Sequence, residues 1–214
     1  MMRLLGLLVL LCLAACGRPL TPSEAAFAED LFGDTLDVSK ARIALVPGIV
    51  PPERKLAEEA TVLVGTERAC LRERRTRSER PPPSAFALWN MMQFDVALYA
   101  SDMALQYPDR VRFPTTLILA HELTHVWQWQ NRDRTGYSPW RAAWESFRFA
   151  DPYFWESGEE AAFFAFEFEQ QAAIVTDFVC FTTSNPDHPR RAELRELLLP
   201  VFPVEDFERA IRGE

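Results

Sequence analysis

At 214 residues the chain is long enough to bury the core of one domain. Its 23 basic side chains face 31 acidic ones, a net charge of -8 that argues against nucleic acid as a partner. No internal repeat or low-complexity segment divides it.

In chain order, Arg3 precedes a nearly all-aliphatic run, Leu4 to Leu13. The run is too short for a spanning helix, which needs about 20 apolar residues. Residues 1–15 therefore read as a signal peptide. Leu13-Ala14-Ala15-Cys16 resembles the bacterial lipobox, which implies cleavage before Cys16 and lipid on its thiol. Gly17, not an acidic residue, follows. By resemblance to Gram-negative lipoproteins this implies an outer-membrane anchor facing the periplasm. Residues 16–22 read as a lipidated tether and 23–214 as a single domain. Cys70 and Cys180 remain as a pair in an oxidising compartment, either bonded or as two separate buried thiols.

Ser23 fits the N-cap of a helix running to about Leu31, with Glu24 and Glu29 near its start. Phe32-Gly33-Asp34 reads as a turn and Ala41 to Val46 as a strand ended by Pro47-Gly48. Glu53 to Ala60 is a charged helical stretch after Pro51-Pro52. Thr61 to Gly65 is β-branched and apolar but too short to assign. Arg68, Arg72, Arg74, Arg75, Arg77 and Arg80, followed by three prolines, suggest a solvated loop beside a stiff spacer. Contact with anionic lipid headgroups is the alternative. Phe86 to Tyr99 reads as a strand pair turning at Trp89-Asn90. A helix with Met91, Met92 and Leu98 on one face fits nearly as well.

Thr115 to Gln130 holds no glycine or proline and is mostly apolar. Pro114 opens it and Gly136 ends the polar stretch beyond, so a buried helix is expected. On it lies His121-Glu122-Leu123-Thr124-His125, which uses two of the three histidines. Histidines four apart share one helix face and can grip a zinc ion (Zn2+), with Glu122 beside it as a proton acceptor. Core histidines satisfied by hydrogen bonds are the bland alternative, but three buried polar groups would then need partners.

A catalytic zinc site takes three protein ligands and leaves a position for water. The extended motif with a third histidine is absent, since Asn131 stands there. His188 lies in a loop without helical support. The better source is the helix-like segment Glu167 to Asp177 among aromatic residues. Glu169 is the preferred ligand, with Glu167 and Glu160 behind it. Ser157-Gly158-Glu159-Glu160 also fits a capping box, which would give Glu160 a structural role.

His121-Glu122-Leu123-Thr124-His125-Val126-Trp127-Gln128 resembles the H-E-L-T-H-V-x-Q signature of a bacterial family of zincin-like metallopeptidases. That family includes the core domain associated with extracellular contractile injection systems and the Vgr-related proteins. Phe32-Gly33-Asp34 with Val38 to Ile43 is similar to the family's F-G-D turn and V-R-[IV] strand. Glu169-Gln170-Gln171-Ala172 with Ile174-Val175 and Asp177 is similar to the E-Q-Q-A-x-I-V-x-D segment of the Vgr-related branch. The resemblance spans roughly residues 23–180. It implies an α+β zincin-like fold, a small sheet on the helix carrying His121 and His125, and Glu169 as the glutamate ligand. One departure stands out. Many such sites place an aspartate four residues after the ligand glutamate, and here that position is Ala173. Asp177 is two turns on, about 12 Å along the axis.

The expectation is a lipid-anchored zinc metallopeptidase acting on a peptide or protein. Zinc on His121, His125 and Glu169 would activate water, Glu122 would take its proton, and Tyr137, Tyr153 or His188 would steady the oxyanion. Trp127, Trp129, Trp140, Trp144 and Trp155 are expected in the core. The rival is a non-catalytic zincin-like scaffold, with zinc structural or absent, in envelope or secretion-system assembly.

Overall fold

The computed structural model describes residues 17–46, 70–80, 83–156, 158 and 162–214, and within them the fold is α+β. Strand β1 (Arg18–Pro19) pairs antiparallel with β2 (Arg42–Leu45). β2 runs parallel to β4 (Met91–Phe94), which pairs antiparallel with β3 (Ala85–Leu88). The order β1-β2-β4-β3 leaves β3 at an edge. Trp89 and Asn90 form the expected turn, Trp89 in the left-handed region at φ 57°. The second strand stops at Phe94, and Tyr99 lies beyond it in the core.

Helix α1 (Pro22–Phe32) is capped by Thr21 rather than Ser23, and Glu24 completes a capping box. Glu24 also takes hydrogen bonds from Arg18 at 2.7 and 2.8 Å and from the Met103 amide at 2.8 Å. A fully buried carboxylate needs such compensation, and Arg18 supplies the charge. The residues from Arg18 to Pro22, expected as tether, are therefore part of the fold. The signal peptide, Cys16, Arg68, the stretches 53–60 and 61–65, and Glu160 lie outside the described residues. No helix among those described is long and apolar enough to cross a membrane.

Helix α2 (Thr115–Gln130) has the bounds its sequence predicts. It packs between the sheet and α5 (Phe168–Ser184), burying Leu119, Leu123, Val126 and Trp127. Trp127 meets Phe202 and Phe163 edge-on and donates its indole N–H to Thr35 at 2.9 Å. The short α3 (Arg132–Thr135) ends at Gly136, whose φ of 68° favours glycine. Then α4 (Pro139–Arg148), capped by Ser138, lies across the start of α5. Helices α6 (Pro189–Leu198) and α7 (Val204–Arg212) close the opposite end, with Phe207 packed on Phe27 and Tyr107.

A disulfide joins Cys70 to Cys180, fixing segment 70–80 to α5. The segment is a largely exposed loop, as expected, with Arg74, Arg75 and Arg77 exposed, but several of its arginines are also engaged. Arg72 holds Asp177 at 2.8 and 2.9 Å. Arg80 and Arg77 donate to the carbonyls of Ser146, Phe147 and Arg148. Those last-turn carbonyls of α4 lack intrahelical partners and carry the negative end of its dipole, so arginine caps suit them. The tryptophans divide: Trp127 and Trp155 are in the core, whereas Trp140 and Trp144 are 81% and 62% exposed.

Candidate metal centre

One turn of α2 separates His121 from His125, and their rings meet edge to face at 4.9 Å. Their Nε2 atoms are 3.3 Å apart. Glu169, in the first turn of α5, brings Oε2 to 3.1 Å from Nε2 of His121 and 3.3 Å from Nε2 of His125. Three donor atoms thus form a nearly equilateral triangle. The edge of a tetrahedron around zinc, with bonds of about 2.0–2.1 Å, is about 3.3 Å. Two imidazole nitrogens and a carboxylate oxygen at this spacing could hold one metal ion. The other two glutamates weighed from the sequence do not join them: Glu167 is the exposed N-cap residue of α5, and Glu160 is not described.

The position of Glu169 is set from two sides. Glu145 of α4 accepts the N–H groups of Phe168 and Glu169, at 2.8 and 3.4 Å, and so caps α5 from outside. The Ser146 hydroxyl donates to the other carboxylate oxygen of Glu169 at 3.1 Å. Burial, with the Glu167 carboxyl nearby, raises Glu145 to about 8. Neither α4 residue is singled out by sequence, because the contact spans 23 positions.

The support missing at Ala173 comes from Gln128. Its side-chain oxygen lies 2.8 Å from Nδ1 of His125. Its amide donates to Gln171 at 2.9 Å and to the Phe168 carbonyl at 3.1 Å. Those two acceptors fix which end of the amide faces the ring. His125 therefore donates through Nδ1 and presents Nε2 to Glu169 and His121, the atom a metal ion would take once it is deprotonated. Gln128 is the final residue of the quoted H-E-L-T-H-V-x-Q run, and its spacing, three residues beyond His125 on the same face, is the signal that marks it. Asp177 serves elsewhere, binding Arg72 and, at 2.9 Å, the Trp155 indole.

Charge follows from this packing. Burial disfavours a charged His125, but Glu169 overrides it and lifts the group to about 9. Burial also works against ionised Glu169, yet His125 and the bonds from both histidines hold it well below the usual carboxylate range. His121 is lowered, chiefly by burial. Glu122 is pushed up to about 8 by burial, and its buried Oε2 has no hydrogen-bond partner. That orphaned oxygen belongs to a side chain lining a cleft of about 370 Å³, shared with His121, Tyr153, Leu117 and Arg72. The cleft walls come from α2, α5, segment 70–80 and the residues leading into β3.

The oxyanion candidates separate. Tyr153 lines the cleft, its ring 5.6 Å from that of His121. Tyr137 is buried, stacked 5.9 Å from His125, and is not among the cleft residues. His188 is elsewhere: it caps α6 and stacks on Phe181, about 18 Å along α5 from Glu169 by helical rise. Its loop lacks helical support because it is the entry to the next helix.

No protein-family model matches the chain, and no curated protein does. Among solved structures it is similar to the effector domain of Pseudomonas aeruginosa VgrG2b, with a TM-score of 0.51 and 20% identity. The match covers 88% of this chain and 86% of that one. At this identity the likeness speaks for the fold alone, and at that level it agrees with the Vgr-related resemblance.

Proposed function

We propose that the chain is a zinc-dependent peptidase of the bacterial envelope with a gluzincin-type zincin site. His121, His125 and Glu169 are its ligands, and their nitrogen and oxygen donors suit zinc. The observation that carries the reading is Glu122. A buried carboxylate with one unpartnered oxygen, beside three converging donors and on a cleft, has no structural task. When bound, zinc supplies Lewis acidity, making water nucleophilic at neutral pH and polarising a carbonyl. Glu122 takes the proton of the attacking water and returns it to the leaving amine. The Tyr153 hydroxyl is the donor for the oxyanion. β3, an edge strand beside α2, offers backbone groups to an extended peptide.

Glu122→Gln keeps the shape and removes the base. Hydrolysis of a peptide library by the zinc-loaded protein should fall to background while the fold persists; an unchanged rate would reject the peptidase reading. The same reading includes a lipid anchor at Cys16 on the periplasmic side of the outer membrane. Fatty-acid label should be lost in Cys16→Ala, and persistent label would remove the anchor.

A second reading is favoured by one observation. Gln128, a neutral amide, faces His125 where a carboxylate would make the ligand more basic. A non-catalytic zincin-like scaffold in envelope or secretion-system assembly would tolerate that. It predicts that the wild-type protein binds zinc yet cleaves nothing in the library.

A further inference from the structure

Helix α4 has two unlike faces. Inward, Ala142 and Glu145 are buried and Ser146 reaches Glu169. Outward, Trp140, Trp144 and Phe147 form a stripe at helical spacing, and Phe147 is 66% exposed beside the two tryptophans. Trp144 and Phe147 stack on each other at 5.9 Å rather than on the core. Arg148, exposed, lies at the end of the stripe, and Arg77 lies over the Phe147 ring at 5.8 Å. The helix has one acidic residue, Glu145, and that one is buried. In a chain of net charge -8, this surface is locally cationic and aromatic.

We propose that the outer face of α4 seats on an anionic lipid surface. Tryptophan and phenylalanine suit the headgroup boundary, where amphipathic rings gain from partial burial. Arginines at the margin of the stripe meet lipid phosphates. A core or a peptide cleft would not need the flanking charge. The inner face of the same helix carries Ser146 and Glu145, so a seated α4 brings the metal centre to about one helix diameter, roughly 10–12 Å, from the headgroups. Peptide segments emerging from the bilayer are the substrates such a geometry serves. The seating itself stands whether or not the centre turns over peptides.

The test uses the full chain with vesicles of phosphatidylethanolamine and phosphatidylglycerol whose acyl chains carry bromine. Trp140 and Trp144 are two of six tryptophans, so roughly a third of the emission should be quenched. In W140F/W144F that component should vanish, with circular dichroism unchanged. Arg148→Glu, or omission of phosphatidylglycerol, should weaken the quenching several-fold. No quenching in anionic vesicles, or quenching that survives in W140F/W144F, overturns the proposal. Equal quenching with and without phosphatidylglycerol overturns the anionic assignment. A self-association in vesicle-free solution that W140F/W144F abolishes would give the face to a second copy of the chain instead.

Discussion

Glu24 on α1 and Glu122 on α2 are both withdrawn from water, at 0% and 3% exposure. Their surroundings differ in kind. Glu24 accepts two bonds from Arg18 and one each from the amides of Thr21 and Met103, so strand, cap and core loop all converge on it. Glu122 has an oxygen with no partner, and burial lifts it to about 8. A carboxylate kept inside a fold for stability is surrounded by donors. Glu122, the proposed general base, is left short of them and faces a cleft beside His121, His125 and Glu169. The same contrast separates Arg72, spent on Asp177, from His121 and His125, whose Nε2 atoms face each other and Glu169.

The contrast predicts opposite outcomes for similar substitutions. Glu122→Gln should cut peptide hydrolysis by roughly 10²–10⁴-fold, the usual weight of a general base. Its thermal midpoint should stay level or rise, because a neutral amide replaces an uncompensated acid. Arg18→Ala should do the reverse. Leaving Glu24 buried and unpaired costs about 3–5 kcal/mol of stability in a urea titration, while the molecules still folded bind metal normally. A smaller effect is expected at Gln128→Ala, where freeing the His125 ring should weaken metal binding roughly 10–100-fold in a chelator competition.

The pH dependence has a definite sign. Metal must displace the proton that His125 holds up to about 9, so apparent affinity should fall about tenfold per pH unit below that value. Competition titrations across pH 6.5–8.5, about two units, would show a flat profile if His125 were not a ligand. The metal-free chain should also respond. Glu122 keeps its proton above its ordinary value of 4.5, so the folded state then binds more protons than the unfolded one. Its contribution to stability declines as pH rises from about 4.5 to about 8, and Glu122→Gln should remove that slope.

What the sequence made legible was local. α2 is sixteen residues without a breaker, so its bounds, its burial and the pairing of His121 with His125 follow from helical period alone. Glu169 was reachable because an acid among phenylalanines needs a partner. Illegible features depended on which faces meet. Trp140 and Trp144 look like core residues by composition, and only the packing of Ala142 and Glu145 inward turns them outward. Arg77 and Arg80 sit in the expected exposed loop, but their caps on the free carbonyls of α4 depend on a helix some 66–71 positions away. Gln128 was in plain view, but its role depends on Gln171 and Phe168, forty or more positions away. His188, the third histidine, has Phe181 and the start of α6 as its neighbours in space.

His121, His125 and Glu169 are proposed to hold a single zinc ion. Metal content by plasma mass spectrometry tests it most directly, on natively purified wild-type chain beside Glu169→Ala, each also exposed to zinc and desalted. About one zinc per chain is expected in the wild type and a small fraction of that in the variant. Wild-type protein that neither carries nor takes up zinc, or a variant that retains it equally, would contradict it.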